Sequence, residues 1–218
     1  NGVTKQLCNR LLEPFMYHTA IITTNQSGLE NYFKLRCPEY NFDGKKFRSK
    51  KDALITIEEV LGESDFNNTE DYLQWASINT CQAEIHIQEL AELMWDCYNE
   101  SEPKQLKDGE WHIPFGDKID RGHHIFSFSH ENYEQRFKEL CVEIATARCA
   151  RISYLNFKGN DDYRADVKLY NRLLKMEHLS PFEHCAKNNG NFLGLEGNLG
   201  MGWAQLRKIN QNKFAQEN

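Results

Sequence analysis

The chain has 218 residues, of which 40% are hydrophobic and 27% are charged, and its formal net charge is −6. This composition is ordinary for a globular protein, and an acidic balance argues against broad, sequence-independent nucleic-acid binding, although a local arginine pocket could still bind a nucleotide. No apolar run reaches the length of a membrane span and no signal peptide is visible, so we expect a cytoplasmic protein.

Short structured segments alternate with polar sequence in the first third of the chain. Residues 16–24 are rich in β-branched and aromatic side chains and predict a strand, and residues 28–36 predict a short helix. Residues 38–79 are polar and look like an insertion. Within it, Ser49 and Asp52 form a capping-box pattern that starts another helix.

Three longer helices are predicted from apolar residues spaced three and four apart. They cover residues 81–98, 130–149 and 162–176, and the last begins with Asp161 or Asp162 as its N-cap. The first has the clearest pattern, and its predicted buried face consists of Ile87, Leu90, Ala91, Met94 and Tyr98.

Residues 187–202 are rich in glycine and asparagine and predict a loop. Because helices dominate and few strands are evident, we predict an α+β fold. We expect mixed helices on a small β-sheet, in a single domain over residues 1–218 that carries the insertion.

Seven cysteines are spread along the chain without a Cys-x-x-Cys pair. An odd number without such pairing favours a reducing compartment over a disulfide framework. We expect none of them to be a catalytic nucleophile, because that role needs a base or a cationic neighbour to activate the thiol. Cys37, directly after Arg36, comes nearest to that condition.

Asn31 and Arg36 form the first candidate binding group. On a helix they lie roughly 140° apart, so one could face a cofactor while the other reaches a substrate. The planar guanidinium of Arg36 suits a nucleotide phosphate or a pyrimidine carbonyl. The alternative is a surface helix with a solvated arginine.

The second candidate group is His178-Leu179-Ser180-Pro181-Phe182-Glu183-His184. Pro181 predicts that the preceding helix ends near Glu177 and that Ser180 caps a new helix, whose free N–H groups could meet a phosphate. The alternative is a simple join between two helices with two surface histidines.

Two other groups of residues give weaker indications of function. Residues 111–115 read as an aromatic packing loop. The histidines at 123, 124 and 130, or at 178 and 184, are candidate metal ligands for a hydrolase, but neither set has the spacing of a known zinc motif, so we predict no metal.

Several segments together resemble the flavin-dependent thymidylate synthase (ThyX) family, with a motif order similar to that of phage and bacterial members. Arg10-x-x-x-Pro14, Thr24–Arg36 (TNQSGLENYFKLR) and Cys81–Ala91 (CQAEIHIQELA) are each similar to a family element. His178–His184 (HLSPFEH) is the most specific match, and the stretch ARCARISY precedes it as a similar stretch does in relatives.

The resemblance implies both a reaction and the residues that support it. The reaction methylates dUMP to dTMP with methylenetetrahydrofolate as carbon donor, reduced FAD as hydride source and NADPH as reductant, in a homotetramer. Arg36 would be catalytic and would bind dUMP together with Arg10. Four residues would contact the flavin: Asn25, Asn31, His178 and Ser180. We expect the flavin and dUMP sites to lie close together in the assembled protein.

The chain also departs from the family pattern. The family signature Arg-His-Arg-x-x-Ser-x-Asn-x-x-Ser-x-Arg-Tyr is absent from the 218 residues, and we expect a related segment upstream of Arg10. The chain would then be the C-terminal part of a longer protein and would form little dTMP alone. The alternative is an inactive or split-enzyme fragment that acts only in folding or assembly.

Overall fold

A computed structural model describes residues 17–42, 44–61, 81–127, 130–156, 158–189 and 194–217. Its described part is a mixed α+β structure, which confirms the predicted class. The six α-helices are α1 (Gln26–Arg36), α2 (Lys50–Leu61), α3 (Ile85–Glu100), α4 (Tyr133–Arg151), α5 (Tyr163–Lys175) and α6 (Leu206–Glu217). The strands are β1 (Tyr40–Phe42), β2 (Lys45–Phe47), β3 (Trp111–His112), β4 (Ala186–Asn188) and β5 (Trp203–Gln205).

The chain divides into two compact units. One unit spans Thr24–Gln105, and the other comprises the residues up to Thr23 together with Leu106–Asn218. Each unit has its own hydrophobic core and its own two- or three-stranded antiparallel sheet.

The Thr24–Gln105 unit is held together around α3. Phe33 of α1 is buried and lies edge-on to Trp95 of α3, with 5.2 Å between ring centroids. The first part of the predicted insertion forms the β1–β2 hairpin, in which Tyr40 pairs with Phe47, followed by α2. One of the two hydrogen bonds of the predicted capping box is present, since the Ser49 hydroxyl accepts a hydrogen bond from the Asp52 amide at 3.2 Å, and α2 begins at Lys50. Residues 62–80 lie outside the described part.

The predicted buried face of α3 is only partly correct. Ala91 is fully buried, and Met94 and Tyr98 pack against the same core cluster, but Ile87 and Leu90 are exposed. The unexpected buried residue next to Ala91 is Glu92, which accepts hydrogen bonds from Tyr40 and Lys50 of the polar segment. A pattern of apolar residues cannot reveal a helix face that is chosen by a buried carboxylate.

In the second unit, the second half of α4 is buried and contributes to two hydrophobic clusters. One cluster joins Val142 and Ala145 to Phe182, and the other joins Leu140 and Ile144 to surrounding aromatic side chains. The sheet has the order β3-β4-β5, with His112 opposite Ala186 and Ala186 opposite Gln205. The predicted N-cap of α5 is confirmed, because the Asp162 side chain accepts a hydrogen bond from the Ala165 amide at 3.0 Å.

One local prediction is wrong, and two predicted loops begin later than expected. Residues 17–24 form no strand, because they pair with no neighbouring strand among the described residues, and a strand needs a partner for its backbone groups. The predicted loop at 187–202 is confirmed for the described residues from Asn189 onwards, whereas its first two residues belong to β4. The predicted packing loop at 111–115 begins with β3, although its aromatic role is supported by Trp111, which packs against a core cluster.

Candidate functional site

The candidate site is an open cleft of about 340 Å³ in the second unit. Three segments line it: residues 18–21, the end of α4 and the turn that contains Ser180. Its lining residues are His18, Thr19, Ala20, Ile21, Cys149, Ala150, Ile152, His178, Ser180, Pro181 and His184. None of these described residues carries a carboxylate, a lysine or an arginine, so the cleft is neutral whenever its histidines are neutral.

The turn Ser180–Glu183 is held in place by its buried apolar side chains. Pro181 and Phe182 are buried, and the Phe182 ring lies 5.0 Å from that of Tyr170. His178 and Ser180 are exposed on the cleft side of the same turn. The structure therefore brings together these two predicted flavin contacts.

The predicted cap role of Ser180 is wrong. Ser180 is the first residue of a single 3-10 turn of four residues, Leu179 occupies the cap position, and no side chain caps the turn. The expected phosphate site at a helix N-terminus is therefore missing from this turn, since so short a turn has no appreciable dipole.

The cleft is instead bordered by the C-terminal ends of α4 and α5. The Glu177 amide donates to Leu174 O at 3.0 Å and the His178 amide donates to Leu173 O at 2.9 Å, with Glu177 in the left-handed region at φ 53°. This pair of bonds is a Schellman motif, and it ends α5 close to the predicted position and turns His178 towards the cleft.

The end of α4 repeats this arrangement with a residue that lines the cleft itself. The Ile152 amide donates to Cys149 O and the Ser153 amide donates to Arg148 O, both at 3.2 Å, and Ile152 has φ 54°. A β-branched residue in this region is a strained conformation, and strain of this kind concentrates at functional sites.

Buried arginines hold the end of α4 in place. The fully buried guanidinium of Arg148 donates to Phe115 O and to Asp161 Oδ1, each at 2.8 Å, and it lies 5.2 and 5.3 Å from the Tyr154 and Tyr163 rings. Arg151 pairs with the buried Asp166. These contacts give both arginines of the ARCARISY stretch a structural role in shaping the cleft wall.

His184 is a site residue that sequence reasoning assigned only to a hypothetical metal site. Its Nδ1 lies 3.1 Å from the Thr23 hydroxyl, and burial lowers the pKa of the imidazole, so the ring is neutral at neutral pH. A neutral imidazole and a hydroxyl offer both a donor and an acceptor to an uncharged ligand. Its position at the end of the HLSPFEH motif was the available signal.

The other predicted site residues lie on α1 in the first unit. Asn25 is the N-cap of α1, and its Oδ1 accepts a hydrogen bond from the Gly28 amide at 2.8 Å. Asn31 and Arg36 are exposed, and no carboxylate of the described residues forms an ion pair with Arg36. Arg10 lies outside the described residues. The expected proximity of Arg36 to His178 stays a prediction.

The described residues contain no group of three or more histidine, cysteine, aspartate or glutamate side chains arranged to hold a metal ion. Within the same residues, none of the helices is both long and apolar enough to cross a membrane. Comparison with family models, with curated proteins and with solved structures finds no match to this chain.

Proposed function

We propose that this chain is a flavin-dependent thymidylate synthase of the ThyX type, which methylates dUMP to dTMP with methylenetetrahydrofolate, FAD and NADPH. The observation that carries the proposal is that His178, Ser180 and His184 of the most specific sequence motif line one cleft, whose lining contains no carboxylate, lysine or arginine. The α+β class of the fold is consistent with it.

The chemistry of the cleft favours the ring system of a flavin over its phosphates. The lining offers hydroxyl and imidazole groups without fixed charge, which suits the uncharged carbonyl and nitrogen edges of such a ring. The C-terminal end of α4 lies at the cleft, with Cys149 and Ala150 in the lining, and the partial negative charge of a helix C-terminus disfavours a phosphate there. The phosphates of FAD would therefore bind outside this cleft.

Reduced FAD supplies the hydride, and the protein supplies binding, orientation and electrostatics. Ser180 and His178 would bind the ring edge, and His184, oriented by Thr23, would exchange a hydrogen bond with it while remaining uncharged. Arg36 would hold dUMP and stabilise negative charge on its uracil ring, because it is an exposed cation without an ion-pair partner among the described residues. Arg10 would also bind dUMP. Asn25 and Asn31 would contact the flavin.

The experiment separates the two ligands by mutation. The chain is coexpressed with a segment that carries the absent signature, desalted, and examined for flavin absorbance and, by calorimetry, for dUMP binding. His178→Ala combined with Ser180→Ala should release flavin. Arg36→Ala should weaken dUMP binding at least tenfold, the cost of about 1.4 kcal/mol, and leave flavin bound.

Two control variants replace exposed residues of the same types elsewhere, Arg164→Ala and His124→Ala. Both should keep both ligands. A protein that never binds flavin would support the alternative, a fragment that acts only in folding or assembly. Arg36→Ala with unchanged dUMP affinity would remove the dUMP assignment. We also propose the homotetramer of the family, which light scattering on the same sample tests.

A further inference from the structure

Two buried cysteines from different elements lie beside the cleft. Cys149 belongs to the last turn of α4, is buried, and lines the cleft. Cys185 follows the Ser180–Glu183 turn directly and is fully buried. Cys185 packs with Val142 and Ala145 of α4, and Cys149 lies on the same face of that helix, four residues after Ala145 and seven after Val142.

A second contact fixes Cys185 against the same face of α4. The Thr146 hydroxyl, one turn before Cys149, is hydrogen-bonded to Cys185 Sγ at 3.5 Å and also donates to Val142 O at 2.8 Å. Residues three apart lie on one helix face, so Thr146 and Cys149 both face Cys185. The pair is therefore held by rigid elements on both sides rather than by a loose surface contact.

We propose that Cys149 and Cys185 are a dithiol site that is oxidised reversibly to an intramolecular disulfide, with access for a small peroxide or disulfide oxidant through the cleft at Cys149. This inference does not depend on the proposed function. The disulfide would link the end of α4 covalently to the segment that carries His178 and Ser180, and so it would join two walls of the cleft.

With hydrogen peroxide as oxidant the step balances. The Cys149 sulfur attacks one peroxide oxygen, the O–O bond breaks, and Cys149 sulfenic acid forms with release of water. The Cys185 sulfur then displaces the hydroxyl group, the S–S bond forms, and a second water leaves. Each sulfur loses one electron, and the two electrons reduce the peroxide to water.

The surroundings predict a slow reaction at neutral pH. The hydrogen bond to Cys185 and burial raise the pKa of the Cys149 thiol. Because the thiolate is the reactive form, the rate of oxidation should increase with pH through the alkaline range. This behaviour differs from that of a sensor cysteine with a lowered pKa.

Other thiols provide internal comparisons. Cys141 lies on the same helix and is buried in a different cluster, so Cys141→Ser is the matched control. Burial raises its pKa to about 11. Cys37 and Cys81 of the first unit could form a competing disulfide, so the mapping must identify which residues are joined.

The test treats the reduced, folded chain with excess hydrogen peroxide, blocks free thiols under denaturing conditions, and maps non-reduced tryptic peptides by mass spectrometry. Trypsin places Cys149 in the tripeptide 149–151 and Cys185 in the peptide 176–187. The expected product is these two peptides joined, two mass units lighter than the reduced pair, and separated again by dithiothreitol. The Cys141→Ser variant should give the same product, and Cys149→Ser should not.

The wild-type map alone decides the question if Cys149→Ser fails to fold. Full blocking of both thiols after prolonged oxidation at alkaline pH would overturn the proposal. So would conversion of Cys149 to a sulfinic acid without a crosslink, or disulfides confined to other cysteines such as Cys37 and Cys81.

Discussion

At the scale of single residues, two side chains occupy backbone conformations that ordinarily favour glycine. Glu177 and Ile152 both have positive φ at the ends of the helices that border the cleft. Neither position carries the glycine that normally signals a helix end, so the Schellman motifs could not be predicted from the local sequence. The resulting strain is compensated by contacts elsewhere in the unit.

Glu177→Gly should therefore stabilise the chain by about 1 kcal/mol, because glycine adopts the left-handed region without the steric cost that a side chain incurs. The free energy of unfolding is measured by urea denaturation. As control, Lys175→Gly within the last turn of α5 should destabilise by about 0.5–1 kcal/mol. A destabilising Glu177→Gly would show that the glutamate side chain makes a contact that matters more than backbone strain.

His184 should make stability depend on pH. Its folded-state pKa is lowered by burial, whereas in the unfolded chain a histidine titrates near pH 6.5. As the pH falls below about 6.5, the unfolded chain takes up the proton first, so stability is lost until the pH reaches the folded pKa.

Urea midpoints measured between about pH 7.5 and about pH 5.5 test this dependence. His184→Gln should lose less stability on acidification than the wild type. The exposed His178→Gln serves as the matched control and should retain the wild-type slope. Equal slopes for the wild type and His184→Gln would contradict the assignment.

At the scale of elements, one buried carboxylate organises the first unit. Glu92 of α3 accepts from the Tyr40 hydroxyl at 3.0 Å and from the Lys50 amide at 2.8 Å, so it joins the β1–β2 hairpin and the start of α2 to α3. Trp95 Nε1 of α3 also donates a hydrogen bond to the Asp52 carboxylate, at 2.7 Å. The described part of the polar segment is thus joined to α3 by hydrogen bonds.

Glu92→Ala should destabilise the chain by about 2 kcal/mol, because the buried Tyr40 hydroxyl and the partly buried Lys50 amide lose their acceptor. Glu89→Ala is the matched control on the same helix: it removes only an exposed ion pair with Lys50 at 3.1 Å and should change stability by less than about 0.5 kcal/mol. Urea denaturation followed by circular dichroism measures both. Equal effects of the two substitutions would refute the role of Glu92.

The helices were largely predictable because their apolar spacing and caps are local signals. The helix at residues 28–36 begins two residues earlier at Gln26, and α4 extends two residues beyond the predicted end. The strands were not predictable, because each has only two or three residues, too few for an alternating pattern, and the partner of β3 lies far away in sequence. The helix α6 was missed because its apolar pattern is weak and polar side chains such as Asn210 are buried in it.

The candidate site was predictable only in part. The motif identified His178 and Ser180, and the structure places both on one cleft. Ile152 and Cys149 could not be identified from sequence spacing, because they reach the cleft through the packing of α4 against the Ser180–Glu183 turn.

At the scale of the whole molecule, the proposed ligand contacts belong to two compact units. His178, Ser180 and His184 lie in one unit, and Asn25, Asn31 and Arg36 lie in the other. Because the chain has a net charge of −6, its overall electrostatic field does not attract the anionic ligand dUMP, and binding would depend on local cations such as Arg36. Binding of dUMP should therefore be more sensitive to this single arginine than to ionic strength.

The most direct test of the central claim is dTMP formation from dUMP and methylenetetrahydrofolate by the chain coexpressed with the signature segment. We expect that dTMP appears only when FAD and NADPH are both supplied, that the 218 residues alone form little of it, and that Arg36→Ala abolishes it. Failure of the coexpressed protein to form dTMP, or dTMP formation that continues without flavin, would contradict the proposed function.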